Sequence, residues 1–545
     1  MVTRDGVRLD ADVYYPHREG TFPVLLMRQP YGRAIASTVV YAHPAWYASH
    51  GYIVVIQDVR GRGSSEGSFR LFSTEIEDGY DTVQWAANLP GSNGQVGMYG
   101  FSYQGMTQLH AAAAKPPALK TIAPAMVGYD LYADWAYENG ALLLQASLGW
   151  ALQLAAETAR RQADDKAYHR LYQAAHNLPI QGNRAAYPEI LSELAADSFY
   201  HDWISHPEPG EYWSQFKPNL SKVNLPMLHV GGWFDPYLRG DLRRFREQAS
   251  QSDQLQHLWV GPWSHIPWSR RVGGVDFGDN GNSPIDQIQI RWFDHFLKGE
   301  ATALPVEAPV HLFEMGTNRW LHLKCWPHEE TSKYYLASNG LANIILNDGC
   351  LNQAPPTSAG YDLLVHDPWR PVPTVGGHSG IPSGSFERSA VDCRSDVITY
   401  TTKPLRESLS VAGEVKLNLY CAADVPSFDL SVVLSTVRTN GQVFNLTQGY
   451  GRIEHPCAQL DRPRKVILPL QATCFRLSPG DALRLSISAA CFPAYPVNPG
   501  TGAPAATSPL LEQQVITLAV YHGSERDSSL TAYQAGLEDI ATQDP

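Results

Sequence analysis

The feature that most constrains this chain is a rhythm of short, fully apolar runs alternating with helical periods. PVLLMRQP and GYIVVIQDVRG each hold such a run, closed within a few positions by turn residues. Runs of that length without polar alternation suit strands buried on both faces, as in a largely parallel sheet. RLDADVYYP, before them, alternates apolar and polar residues as a half-buried strand does. IEDGYDTVQWAANLP then switches period and puts Ile76, Tyr80, Val83 and Ala87 on one helical face. QVGMYG reads as a strand, a helix follows from Tyr103, and LKTIAPAM returns to strand. Strands alternating with helices over residues 1–127 predict a doubly wound α/β domain.

Residues 128–220 break the rhythm. They are rich in Ala, Leu, Trp and Tyr at helical spacing, as in ALLLQASLGWALQLAAETARR, and predict an all-helical insertion. The α/β pattern resumes over 221–305. LPMLHVGGWFD and QHLWVGPWSH are strands entering loops, DLRRFREQ is a helix, and PIDQIQIRWFDHFLKG is a helix stopped by Gly299. From 306 to 545 proline, glycine and β-branched residues dominate, with short strands such as VKLNLYCAA, LSVVLSTV and ALRLSISAA. That stretch reads as an all-β sandwich or jelly roll. Its polar tail after Gly523 is expected to fray. A chain of 545 residues is too long for one core, so several domains agree with its length.

Charge and cysteine content remove some function classes. The net charge of -12 is mild and spread out, and no basic patch stands out. It signals solubility rather than a nucleic-acid partner. No apolar run approaches the roughly 18 residues of a membrane span. The start, MVTRDGVRLD, lacks the apolar core of a signal peptide. The expected location is therefore cytoplasmic, an expectation that a removed leader would change. The seven cysteines all fall between Cys325 and Cys491, in odd number and without a CxxC pair. Buried free thiols are expected, not disulfides or a metal site. There is no phosphate loop, dinucleotide fingerprint or zinc motif, so no cofactor or metal is called for.

The chemistry centres on GMYGFSYQGMTQ. Ser102 sits between Gly100 and Gly105, at a strand-to-helix turn. Alone, the turn has two readings. It is a nucleophile elbow, whose usual signature is G-x-S-x-G, or it is a tight turn that needs a small residue. The second glycine is one place late. A serine nucleophile also needs a histidine base oriented by a carboxylate, in the chain order serine, acid, histidine. Asp235 follows LHVGGWF and His265 follows LWVGPWS, each just past the carboxyl end of an apolar strand. Asp235 alone could be a helix N-cap, and His265 alone could be incidental. An oxyanion needs two donors. The Tyr103 amide is one candidate. Tyr31, in RQPYGR, offers a phenol, although from this stretch alone a tyrosine packed at a loop edge is the better reading.

Taken together, TRDGVRLDADVYYP, RQPYGR, QDVRGRGSSEG, EDGYDTVQWAANLP, GFSYQG, APAMVGYDLY, GGWFDPY, GPWSH and WFDHFLKG resemble the cocaine esterase-like acyl esterases. That family is related to the Xaa-Pro dipeptidyl peptidases and the α-amino acid ester hydrolases. GTNRW, DPWRPVPTVGG and ITYTTKPL extend the resemblance over nearly the whole chain. The family's elbow reads G-x-S-Y-x-G, which accounts for the late glycine. The resemblance implies an α/β-hydrolase domain (1–127 and 221–305), an inserted helical cap (128–220) and a C-terminal jelly roll (306–545). It implies Ser102 as nucleophile, Asp235 as acid and His265 as base. It makes the Tyr31 hydroxyl an oxyanion donor beside the Tyr103 amide, reversing the reading from the stretch alone. It also places Trp135, Trp150 and Tyr237 in an acyl pocket, where flat rings would desolvate an apolar or aromatic acyl group. On residue type alone, the tryptophans serve a helical core equally well.

The expected activity is carboxylic ester hydrolysis on a small-molecule ester or amide, with no membrane or nucleic-acid partner. The alternative is a dipeptidyl peptidase or α-amino acid ester hydrolase, which needs a carboxylate for the substrate amine. Asp130, Asp134, Glu138 and Glu157 are the acids the cap could offer. A non-catalytic binding protein built on the jelly roll is the alternative of another class. Self-association is common in the family, though the sequence itself does not point to a homo-oligomer. Arg60 and Arg62 are expected to hold their own loop with Asp58 and Glu66. His43, His50 and His295 are read as surface, packing or structural residues.

Overall fold

The computed structural model describes residues 1–534. The strands of the first half assemble into a nine-stranded sheet. Its order is Ala11–Tyr14, Ile53–Asp58, Phe22–Gln29, Ser92–Phe101, Leu119–Ala125, Met227–Phe234, Gln256–Ser264, Val310–Glu314 and Arg319–Leu323. The two edge pairs are antiparallel. All the pairs between them are parallel. Every residue of Phe22–Gln29, Ile53–Asp58, Met227–Phe234 and Gln256–Ser264 is buried. That is what unbroken apolar runs require of a sheet covered on both faces. The last two strands lie past residue 306, where the composition shift suggested a boundary. Composition reports strand content, not sheet membership. Val310–Glu314 pairs with Gln256–Ser264 and so completes the first sheet.

The helix Glu75–Ala87 turns a different face inward than apolar spacing predicts. Ile76 is exposed, while Glu75, Asp78, Gly79, Thr82, Val83 and Ala86 are buried. Polar residues face inward because each meets a partner. Glu75 takes the Arg28 guanidinium at 2.5 Å, Asp78 takes Arg60 at 2.6 Å, and Thr82 donates to Gln57 at 3.0 Å. A hydrophobicity period does not register such pairs.

Between Leu119–Ala125 and Met227–Phe234 the chain is mostly helical, with Leu144–Arg161 and Asp165–His176 the longest helices. It is not all-helical. A single π-helical turn, Leu131–Ala136, leads into a two-strand hairpin, Tyr137–Glu138 with Ala141–Leu142. The hairpin turns on Asn139 and Gly140, both at positive φ (44° and 81°), the conformation that Asn-Gly pairs adopt most readily. The C-terminal region from Glu329 onward is β-rich. Its eleven strands form one hydrogen-bonded network, interrupted only briefly by the helix Ser389–Asp392 and a 3₁₀ turn at Leu510–Glu512. The tail after Gly523 does not simply fray. Ser529–Gln534 pairs with two other strands, because its alternating Leu530 and Ala532 have a core to enter. The rest of the tail, 535–545, lies outside the described residues.

None of the seven cysteines, all among the described residues, is in a disulfide. Cys421, Cys474 and Cys491 are buried and Cys350 is half-buried, but Cys325, Cys393 and Cys457 are exposed. Those three lie in turns or at element ends, not in strand interiors. Among the described residues no helix is long and apolar enough to cross a membrane.

Candidate active site

Strand register brings the expected acid and base together. Met227–Phe234 and Gln256–Ser264 run parallel, and Phe234 stands opposite Ser264. Asp235 and His265 therefore leave the sheet side by side. Asp235 is fully buried, and its Oδ1 accepts the His265 Nδ1–H at 2.7 Å. Asp235 does not cap the next helix, Leu238–Gln251, whose N-cap is Tyr237. The imidazole packs edge-on against the Tyr237 ring at 5.0 Å and lies 5.3 Å from the ring of Phe101, the residue before Ser102. The His265 carbonyl accepts the Trp268 indole N–H at 3.1 Å, which fixes the loop from its other side.

Ser102 stands at the end of Ser92–Phe101, where the chain turns into the helix Tyr103–Ala114. Its φ and ψ are 59° and −126°, a combination that a residue with a Cβ rarely adopts. The turn is over-determined. The Ser102 N–H donates to Ala125 O at 2.9 Å, and its carbonyl accepts from Gly105 and Met106. The late glycine has a packing reason. A Cβ on Gly105 would stand 2.9 Å from the Val127 Cβ, so this close approach of the elbow helix to the segment after Leu119–Ala125 needs a glycine there. Gly100 has φ +136°, and a Cβ there would stand 2.5 Å from that of Gln104.

Tyr31 reaches this turn from the loop after Phe22–Gln29. Its hydroxyl accepts the Trp150 indole N–H at 3.1 Å, and the Ser102 side chain lies close enough to influence its titration. Burial of the hydroxyl pushes its pKa up to about 12, so it remains a proton donor well above neutrality. The structure thus brings Ser102, Tyr31 and Trp150 together, and Asp235, His265 and Tyr237 together, with Phe101 between the groups.

The three expected pocket aromatics are neighbours. Trp135 packs 4.6 Å from Tyr237 and 5.4 Å from Trp150. Trp150 continues to Phe199 and Trp203, and Trp135 to Phe72. The four acids singled out in the inserted segment, by contrast, each meet a cation. Asp130 pairs with Lys217, Asp134 with Arg243, Glu157 with Arg160, and Glu138 with Arg239 and His378.

Apolar periodicity missed the layer beneath the elbow. The Tyr103 ring is fully buried, stacks on Phe72 at 4.4 Å and donates its hydroxyl to Glu75 at 2.9 Å. Glu75 is held in turn by the buried Arg28. The amide that would serve the oxyanion is therefore anchored by its own side chain. The arginine loop also departs from expectation. Arg60 pairs with Asp5 and Asp78, while Asp58 pairs with Arg33 and Glu66 meets Arg8. Arg62 leaves its loop and donates to Leu154 O and Thr158 Oγ1 of the helical segment, with its guanidinium 3.8 Å over Phe69. Burial pulls its pKa down to about 10. A long side chain can span to another element, which local spacing does not reveal.

Comparison with known proteins gives the same family at both ends of the chain. Residues 5–267 match the X-Pro dipeptidyl-peptidase (S15 family) model, and residues 305–531 match the X-Pro dipeptidyl-peptidase C-terminal non-catalytic domain. The chain is 30% identical to the cocaine esterase of Rhodococcus sp. (strain MB1 Bresler), over 97% of this chain and 96% of that protein. Among solved structures, an aminopeptidase from a marine sediment Thaumarchaeota archaeon is similar at TM-score 0.83 and 24% identity, covering 98% of this chain and 95% of that one. An α-amino acid ester hydrolase is similar at TM-score 0.79 and 23% identity, with the same coverage of 98% and 95%. These two support the fold. The two family models and the similarity to cocaine esterase along nearly the full length show that the chain belongs to the X-Pro dipeptidyl-peptidase (S15) family, a serine-hydrolase-type family of esterases and peptidases.

Proposed function

We propose that the chain hydrolyses carboxylic esters through Ser102, His265 and Asp235. His265 takes the proton from Ser102 Oγ as that oxygen attacks the ester carbonyl carbon. The tetrahedral oxyanion is held by the Tyr31 hydroxyl and the Tyr103 amide. The C–O bond to the leaving alcohol breaks, and His265 returns the proton to that oxygen. Water then attacks the acyl-serine with the same base and frees the acid. Asp235 keeps the imidazole in the tautomer with Nδ1–H and stabilises it when charged. The observation that carries this reading is the 2.7 Å hydrogen bond from His265 to the buried Asp235, beside the strained Phe101–Ser102 turn.

Trp135, Trp150 and Tyr237 supply the acyl side. Their adjoining rings favour an apolar or aromatic acyl group over a charged one. The amine-directed activities rank second, because Asp130, Asp134, Glu138 and Glu157 each already face a cation. A substrate ammonium would have to displace one. Membership in a hydrolase family sets aside the reading of the chain as a non-catalytic binding protein.

The test is hydrolysis of nitrophenyl acetate, butyrate and benzoate, an α-amino acyl ester and Ala-Pro-nitroanilide by the wild type and Ser102→Ala. Turnover of the simple esters, lost in Ser102→Ala, supports the reading. Turnover confined to the substrates with a free amine contradicts the ester assignment.

A further inference from the structure

The C-terminal region, matched by a domain model described as non-catalytic, reaches the acid loop with one side chain. Gln471 lies on the strand Arg464–Leu477 and is 3% exposed. Its Nε2 donates to Trp233 O at 2.9 Å and to Asp235 O at 3.0 Å. Both amide hydrogens are thus spent on the backbone that carries the acid. Its Oε1 is buried and has no hydrogen-bond partner among the described residues. On the acid's side, the backbone has few internal ties. Asp235 N bonds Gly232 O at 3.1 Å, and the Asp235 carbonyl takes only a long 3.4 Å bond from Leu238 N besides Gln471. Asp235 Oδ2 likewise has no hydrogen-bond partner among the described residues. The carboxylate's position therefore depends on its backbone, not on a cage around its second oxygen.

We infer that Gln471 is a positioning residue for the acid, and that the C-terminal region takes part in catalysis through it. The inference rests on the proposed roles of Asp235 and His265. The main chain at 233–235 closes the strand Met227–Phe234 and must hold one carboxylate oxygen 2.7 Å from an imidazole. Small displacements of catalytic groups are costly in rate. An amide bridging two carbonyls two residues apart fixes the rotation of the intervening peptide planes, which sets the direction of the Asp235 side chain.

Gln471→Met keeps the length and volume of the side chain but removes both donors. The expected result is a kcat lower by about ten- to a hundred-fold on a nitrophenyl ester with KM little changed, since the substrate does not touch Gln471. Thr447→Val is the control. Thr447 donates to the Gln471 carbonyl at 2.6 Å, so its loss loosens the same strand without touching the acid loop. It should lower the melting temperature while leaving kcat and KM as in the wild type. Should Gln471→Met fail to fold, Gln471→Glu of nearly the same shape is read instead. Above its own pKa it has no proton to offer either carbonyl. The inference is overturned if the folded variant keeps the wild-type kcat, or loses kcat/KM through KM alone. It is also overturned if Thr447→Val loses the same activity at the same fall in melting temperature. Activity of Ser102→Ala equal to the wild type would instead overturn the triad reading, and so separates the two failures.

Discussion

The indole N–H of Trp150, on a helix of the inserted segment, donates to the hydroxyl of Tyr31 on a loop of the hydrolase sheet at 3.1 Å. That bond leaves the Tyr31 proton free to point toward the Ser102 turn. Tyr31→Phe removes the donor and keeps the ring. Its kcat should fall by about 10²- to 10³-fold with KM nearly unchanged, as for loss of one oxyanion donor. Steady-state kinetics on a nitrophenyl ester measures it.

Tyr31 also carries a pH signature. Its folded pKa is near 12, against about 10 when unfolded. Between those values the folded chain keeps a proton that the unfolded chain has lost, so this group's contribution to stability falls as pH rises through that window. Below about pH 10 the contribution is constant. The loss of urea stability from about pH 9.5 to about pH 11 should therefore be smaller in Tyr31→Phe than in the wild type.

Asp235→Asn keeps the shape of the acid but offers an amide to the imidazole. Either the wrong tautomer is favoured or the hydrogen bond is weakened. A fall in kcat of about 10³- to 10⁴-fold is expected, with the protein folded by circular dichroism. A variant within tenfold of the wild type would remove Asp235 from the mechanism.

The Ser102 backbone predicts an effect on stability opposite to that on activity. At φ 59° a Cβ is strained, by about 1–3 kcal/mol in such regions. Ser102→Gly and Ser102→Ala should both be inactive. Ser102→Gly should be the more stable of the two by about 1 kcal/mol, since glycine relieves the strain but gains entropy when unfolded. Urea unfolding of the pair decides this.

Aromatic preference should reside in Trp135 and Trp150. Trp150→Ala should lower kcat/KM for nitrophenyl benzoate about two- to tenfold more than for acetate, because a lost ring contact is worth about 0.5–1.5 kcal/mol beyond area. Equal losses on both esters would mean that the ring supports Tyr31 and does not line an acyl pocket.

Much of this arrangement is legible in the sequence because strand ends carry it. Asp235 and His265 each follow an unbroken apolar run, and parallel pairing of those runs sets them side by side. The Ser102 turn is legible because glycines flank it. What was hidden depends on long side chains and on register between distant segments. Glu75 and Asp78 point inward against the apolar period because Arg28 and Arg60 wait there. Arg62 crosses to Leu154 although Asp58 and Glu66 are nearer in sequence. Gln471 lies 236 residues from the acid whose carbonyl it holds. The strand Val310–Glu314 joins the first sheet although its composition resembles the second half. None of these leaves a periodic or local trace.

The most direct measurement is the mass of the protein after reaction with a fluorophosphonate, followed by mapping of the labelled peptide. The account predicts one adduct, on the peptide holding Gly100–Gly105, absent in Ser102→Ala and formed far more slowly in His265→Ala. An unlabelled wild type, or an adduct on any other residue, would contradict it.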